Sequence, residues 1–263
     1  MALKRRTRSR LYRYSMYALF IALIALIAVA TDWPRITKQF FDLEVAATLF
    51  PDIIIVALRN TVLFTLIAFA GGLLLGVVFA LMKLSIIAPF RWFATVWIEL
   101  FRGLPALLTI FAMAFILPIA FGIKPPGGPV GAGLIGLILV ASAYMAEVIR
   151  AGIQAVPKGQ TEASRSLGMS PMKTMIFIVL PQGFRIIIPP LTNEFVLLLK
   201  DTSLLFIAGT FIWSKELTSF ARDANTMYAN GTPLIMAALL YLIVTIPLTR
   251  FTAWLERRMA RER

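Results

Sequence analysis

The chain has 263 residues, of which 59% are hydrophobic, with a formal net charge of +13 and a mean hydropathy of +0.84. Soluble domains hold about 45–50% apolar residues, so this excess calls for a lipid solvent. With no Cys and no His, disulfides, thiolate nucleophiles, histidine bases and the usual zinc sets are excluded, and no soluble basic domain is present to carry nucleic acid.

The first apolar segment runs from about Tyr14 to Ala30, behind Lys4, Arg5, Arg6, Arg8, Arg10 and Arg13. A basic head, a short apolar stretch and Ala28-Val29-Ala30 also describe a cleavable signal peptide. Further spans follow, and Tyr12, Tyr14, Tyr17 and Trp33 could anchor both interfaces, so we read a retained helix; cleavage would leave five spans. A bilayer core about 30 Å thick takes roughly 20 apolar residues in a helix. Charge-free runs at 60–82, 103–123, 125–146 and 224–249 meet that length. They predict spans over about 53–82, 92–122, 130–150 and 232–252, with another beginning near 176. In the second span, Gly71, Gly72 and Gly76 form a small-residue face suited to close helix packing. The third is expected to bend, because Pro105 and Pro118 each remove a helix bond. Pro125-Pro126-Gly127-Gly128-Pro129 predicts a turn. Residues 31–52 and 211–231 are expected as external connections.

Basic residues set the orientation. With the N-terminus inside, seventeen Lys/Arg fall on the cytoplasmic side and five outside: Arg35, Lys38, Lys124, Lys215 and Arg222. The remaining four lie within spans. That asymmetry is the positive-inside pattern, and it puts the C-terminus in the cytoplasm. No segment shows the alternation of a membrane strand, so the spans must be helices. The fold class is an all-α polytopic transmembrane bundle of about six spans.

The loop between the fourth and fifth spans is punctuated for structure. Pro157 ends what precedes it, and Lys158 to Leu167 read as a short helix. Gly168 stands where a left-handed cap would close it. Ser170 then caps a second helix with Pro171 at its first position, and Leu180-Pro181 marks the joint into the next span. On physical grounds two uses fit. One is an amphipathic helix resting on lipid headgroups; the other is a rigid knob for a soluble partner.

Glu162-Ala163-Ser164, Gly168 and Ile178-Val179-Leu180-Pro181 resemble the EAA loop of permeases in ATP-binding cassette importers. Ser164 replaces the second Ala of that pattern. Val156-Pro157-Lys158-Gly159-Gln160, Arg102-Gly103-Leu104-Pro105, Pro189-Pro190-Leu191-Thr192-Asn193-Glu194-Phe195 and Leu199-Lys200-Asp201-Thr202-Ser203-Leu204 resemble the branch that takes up histidine, glutamine, glutamate and arginine. The resemblance covers roughly residues 53–250. It implies a five-span importer core over 53–252, with a cytoplasmic two-helix coupling loop at about 157–175. Residues 1–52 would then supply a basic N-terminus, an extra helix and an external loop, and 253–263 a basic cytoplasmic tail.

The same resemblance implies partners in a prokaryotic plasma (inner) membrane. These are two ATPase subunits below, an extracytoplasmic solute-binding protein above, and a second permease subunit, identical or a sister chain. Glu162, Ala163, Ser164, Gly168, Leu180 and Pro181 would be the ATPase-coupling residues. Transport of a polar amino acid would proceed by alternating access. No catalytic residue, metal or cofactor is expected, since a separate chain would hydrolyse the ATP.

Charged groups inside spans cost at least about 2.5–3.5 kcal/mol at a helix centre and are functional candidates by default. The fifth span holds Arg185, Asn193, Glu194, Lys200 and Asp201. Arg185 can snorkel to the nearer surface. Asn193 and Lys200 share one helix face, and Glu194 and Asp201 another. A carboxylate and an ammonium in one cavity would match the two charges of an amino acid; alternatively these groups pair with one another or with Arg102. Arg102 is also three residues from Glu99, a spacing that permits pairing on one face. Thr61, Arg102, Asn193, Glu194, Lys200 and Asp201 are the expected substrate pathway. The rival reading is an ion-coupled secondary transporter with an ion site at Glu194 or Asp201.

Overall fold

In lipid no water can satisfy a free backbone group, so each spanning segment must close its own hydrogen bonds as a helix. The computed structural model describes residues 5–123 and 125–261, and among these residues there is no strand. The expectations for Lys4, Lys124 and Arg263 concern residues outside that set.

Helix α1 (Arg5–Ala30) is followed by two short helices, α2 (Trp33–Phe40) and α3 (Leu43–Thr48). A wide, π-type stretch, Ile53–Leu58, leads into α4 (Arg59–Leu84). Then come α5 (Ala88–Gly103), α6 (Ala106–Phe111) and α7 (Leu117–Phe121), and the long α8 (Gly128–Gln154). Next are α9 (Lys158–Ser166), α10 (Pro171–Thr174) and α11 (Leu180–Asp201). The chain closes with α12 (Leu217–Tyr228) and α13 (Thr232–Arg261). Among the described residues, five stretches are long and apolar enough to cross a membrane, or six if the bent pair of α5 with α6–α7 counts as one.

Helix α8 is the axis of the bundle, and α4 and α11 pack against it. Small residues make that possible. A Cβ on Gly72 would stand 2.6 Å from Ala141 Cβ, and one on Gly76 would stand 2.9 Å from Met145 Cβ. On α8 itself, a Cβ on Gly152 would meet the Ile187 side chain at 2.2 Å. Lipid gives no hydrophobic drive between helices, so such close backbone contact is what holds them. Apolar side chains gather in three layers along this axis. Ile98, Ile153 and Ile187 belong to the layer nearest α9. Phe64, Ile110 and Leu137 lie in the middle, and Leu49, Ile53 and Leu217 at the end carrying α12.

Three departures from the sequence reading have local causes. The expected single bent span over 92–122 is broken instead, with α5 and α6–α7 meeting at 106°. Leu104 precedes a proline and is driven to extended geometry, φ −85° and ψ 139°, which ends α5 outright. Conversely, Leu180-Pro181 is not a joint. Helix α10, the π-type stretch Met175–Val179 and α11 form one stretch, Pro171 to Ala208. The wider π turn before Pro181 takes up its missing N–H, as such bulges do at helix irregularities. Finally, the connection over 211–231 contains a helix, α12, capped by Glu216.

The ends of the bundle differ in order. Beside α12, the chain is stitched by backbone: Gly231 N–H donates to Gln39 O at 2.8 Å, and Asn230 Nδ2 donates to Lys38 O at 3.0 Å. Helix α1 has none of this. Every described side chain along its apolar length, 12–30, is exposed, so none of the described residues covers it.

Candidate functional site

Two features stand out, a projecting helix and a polar cavity. The projection is α9. Pro157 sets its start, with extended geometry before the first turn. Its end is a complete Schellman closure: Gly168 N–H donates to Arg165 O at 3.0 Å, and Met169 N–H to Ser164 O at 3.1 Å. Gly168 sits at φ +84°, a conformation that L side chains resist. The Arg165 guanidinium adds a bond to Met169 O. Ser170 then caps α10, its Oγ accepting from Lys173 N–H. The hairpin is thus locally fixed, as the sequence led us to expect.

Its residues point to different places. Glu162, Ala163 and Gly168 are exposed, and Leu167 is 85% exposed. Ser164, grouped with the coupling contacts, turns inward. Its hydroxyl donates to Thr161 O at 2.9 Å and lies 3.0 Å from Thr174 Oγ1, tying α9 to α10. Leu180 packs on the apolar layer nearest α9, while Pro181 is exposed.

A charge cluster that the sequence reading passed over lies one helix earlier. On α8, Glu147 bridges Lys83 of α4 at 3.4 Å and also binds Arg150, which reaches on to Gln154. The cluster pins the exit of α8, just before α9, to α4. The i, i+3 spacing of Glu147 and Arg150 was the available signal.

The cavity lies where the α5–α6 break opens against α8 and α11. It encloses about 230 Å³, with Glu194 and Asp201 among its walls together with Leu104, Ala106 and Tyr144. Tyr144 joins the site because the Arg102 guanidinium lies 5.5 Å above its ring, a cation–π arrangement. Arg102 and Glu99 form no ion pair among the described residues. Glu194 and Asp201 are seven residues apart and meet on one face, as expected. Asn193 and Lys200 do not join them: both are exposed on another face of α11. The cavity therefore presents two carboxylates and, at its rim, a guanidinium, rather than a carboxylate and an ammonium. Thr61 is not in the cavity either. It is buried, with its hydroxyl donating to Ala57 O at 2.9 Å and accepting from Leu217 N–H at 3.0 Å. Its polarity serves the packing of α12 on α4.

At that far end, Glu216 is fully buried. Its carboxyl accepts from Thr218 N–H at 2.6 Å, Ser219 N–H at 2.7 Å, Ser219 Oγ at 2.6 Å and Tyr241 OH at 3.2 Å. Burial raises its pKa above the ordinary carboxylate value, and the hydrogen bonds oppose that rise.

Residues 72–261 match the family described as binding-protein-dependent transport system inner membrane component. The probable glutamine ABC transporter permease protein GlnM of Bacillus subtilis is 40% identical over 202 residues, spanning 76% of this chain and 90% of that protein. The arginine transport system permease protein ArtQ of the same organism is 34% identical over 220 residues, spanning 83% of this chain and 98% of that protein. Among solved structures, an amino acid ABC transporter with histidines superimposes with a TM-score of 0.74 at 35% identity, over 84% of this chain and 98% of that one. A family match across most of the chain, relatives of this similarity and a shared helical architecture agree: the chain belongs to the binding-protein-dependent transport system inner membrane components, the multi-pass permease subunits of ABC transporters.

Proposed function

We propose that this permease carries a polar amino acid across a bacterial plasma membrane by alternating access, driven by a separate ATPase that grips α9. The observation that carries the proposal is the α9 hairpin. It is rigid at both ends and exposes Glu162, Ala163, Leu167 and Gly168 together. A helix presented this way suits a groove on a soluble partner. Relatives named as glutamine and arginine permeases support the substrate class.

In this reading both termini and α9 are cytoplasmic, in line with the basic residues, and the α12 end faces the solute-binding protein. ATPase closure would draw α9 and the end of α8 along, with the Lys83–Glu147–Arg150 cluster carrying α4 too. Residues 53–252 form the importer core, and α1 is an addition to it. Glu194 and Asp201 would receive the ammonium of the solute, and Arg102 its carboxylate. The cavity's 230 Å³ falls below the about 300–1,000 Å³ of ligand pockets. That fits a pathway completed by a second permease subunit.

The deciding experiment compares co-purification of the candidate ATPase with wild type and with Glu162→Lys. Loss of the ATPase from a folded, inserted variant supports docking through α9. If wild type retains no ATPase, and uptake follows an ion gradient and collapses with an ionophore, the secondary-transporter reading takes its place.

A further inference from the structure

We propose that the groove beneath α9 is a binding site for the headgroup of an anionic phospholipid. Between α9, the end of α8 and α10 lies a cleft of about 720 Å³, within the about 300–1,000 Å³ typical of ligand sites. One wall is polar and basic. Lys158, Thr161 and Arg165 line it from α9, at spacings of three and four that set them on one face. The rest of the lining, from the end of α8 and from α10 onward, is mostly apolar, with Val156, Met175 and Val179 beside Gln154 and Thr174.

The charge balance selects the ligand. No acidic residue lines the cleft, and neither Lys158 nor Arg165 forms an ion pair among the described residues. Arg165 gives one donor to Met169 O, leaving others of its five. Two cations and a hydroxyl on one helix face suit a phosphate. The apolar lining argues for an amphiphile over a free anion. It also continues outward: Ile176 and Phe177, on the turn between Met175 and Val179, are 45% and 65% exposed, as a lipid-facing surface would be.

The cleft does not compete with docking. Ala163 and Leu167 point from the far side of α9, since at 100° per residue they lie roughly opposite the face of Lys158, Thr161 and Arg165. Glu162 stands about 40° round from Lys158 and borders the cleft face, so the docking surface runs from Glu162 to Ala163 and Leu167 and leaves the cleft side to headgroups.

The test needs no ATPase. The purified full chain in detergent is incubated with phosphatidylglycerol or with phosphatidylcholine of the same acyl chains, and retained lipid is counted by native mass spectrometry. Wild type should retain phosphatidylglycerol preferentially, and Lys158→Gln should weaken that retention about fivefold, the effect of one basic residue at an anionic lipid surface. Arg91→Gln, which removes an exposed charge outside the cleft, should leave it unchanged. Equal retention of the two lipids, or an equal loss in both variants, would overturn the proposal. Displacement of the lipid by millimolar inorganic phosphate alone would identify a free-phosphate site and overturn it too.

Discussion

The docking hairpin and the solute cavity are built on opposite principles. The hairpin is local. Its helix, its left-handed closure at Gly168 and the cap at Ser170 involve residues near one another in sequence, and each is secured by a short-range bond. The cavity is assembled from the α5–α6 break, α6, α8 and α11, so it exists only when the bundle is packed. A local device can be rigid and exposed together, which suits a handle. A cavity of charged groups in lipid needs walls from several helices, which suits a path that opens and closes.

The sharpest way to break this contrast is Gly168→Asp, with uptake expected to be abolished. A left-handed residue other than glycine costs about 1–2 kcal/mol, and nothing lies within 4 Å of the added Cβ. Insertion should therefore be normal, and the loss should come from docking. Normal ATP-driven uptake by the inserted variant would mean that the hairpin is not the handle.

A smaller effect is expected in the cavity. Glu194→Gln and Asp201→Asn should each reduce uptake about 10–100-fold, the scale of a lost hydrogen bond to a charged group at about 1.5–3 kcal/mol. ATPase co-purification should be unaffected, because neither residue is near α9 in the packing. Asn193→Ala is the comparison, with less than about a threefold change expected for a residue outside the cavity. If Asn193→Ala proved as damaging, the path would run along the exposed face of α11 instead.

What could be read in advance follows the same division. The span lengths, the close packing at Gly72 and Gly76, and the hairpin at 158–170 were legible, because periodicity and caps are local. The pairing of Glu194 with Asp201 was legible as a shared face. Which face met the cavity was not: Asn193 and Lys200 have the same spacing and emerge exposed. Nothing in the sequence next to Tyr144 announced a stacked Arg102, and Arg102 has a nearer apparent partner in Glu99. Thr61 misled for a different reason. A hydroxyl in a span fits a pore as well as an interhelix bond, and its acceptor role toward Leu217 N–H spans 156 positions. The size of a break was hard to read where proline acts on its neighbours: Pro105, expected to bend a span, severs it through Leu104, while Pro181, expected as a joint, is absorbed by a π turn.

Thr61 gives the third comparison. Thr61→Val keeps the shape and strands a buried N–H at Leu217, at a cost of about 1–3 kcal/mol. A lower apparent melting temperature is expected, with uptake per folded molecule unchanged. A change in solute selectivity would return Thr61 to the pathway.

The smallest expected effect concerns pH at the α12 end. Glu216 lies outside the spans and its pKa is raised by burial above the ordinary 4.5. As pH rises through the window above 4.5, the unfolded chain has lost a proton that the folded chain still holds. Stability then falls with rising pH, because its slope follows protons bound in the unfolded state minus those in the folded state. Glu216→Gln removes the titration and should flatten the dependence of apparent melting temperature on pH. The variant should also be less stable at every pH, since an amide cannot accept both the Thr218 and Ser219 N–H groups through its two ends. An unchanged slope would place the titrating group elsewhere, and would mean that the four donors around Glu216 offset its burial in full.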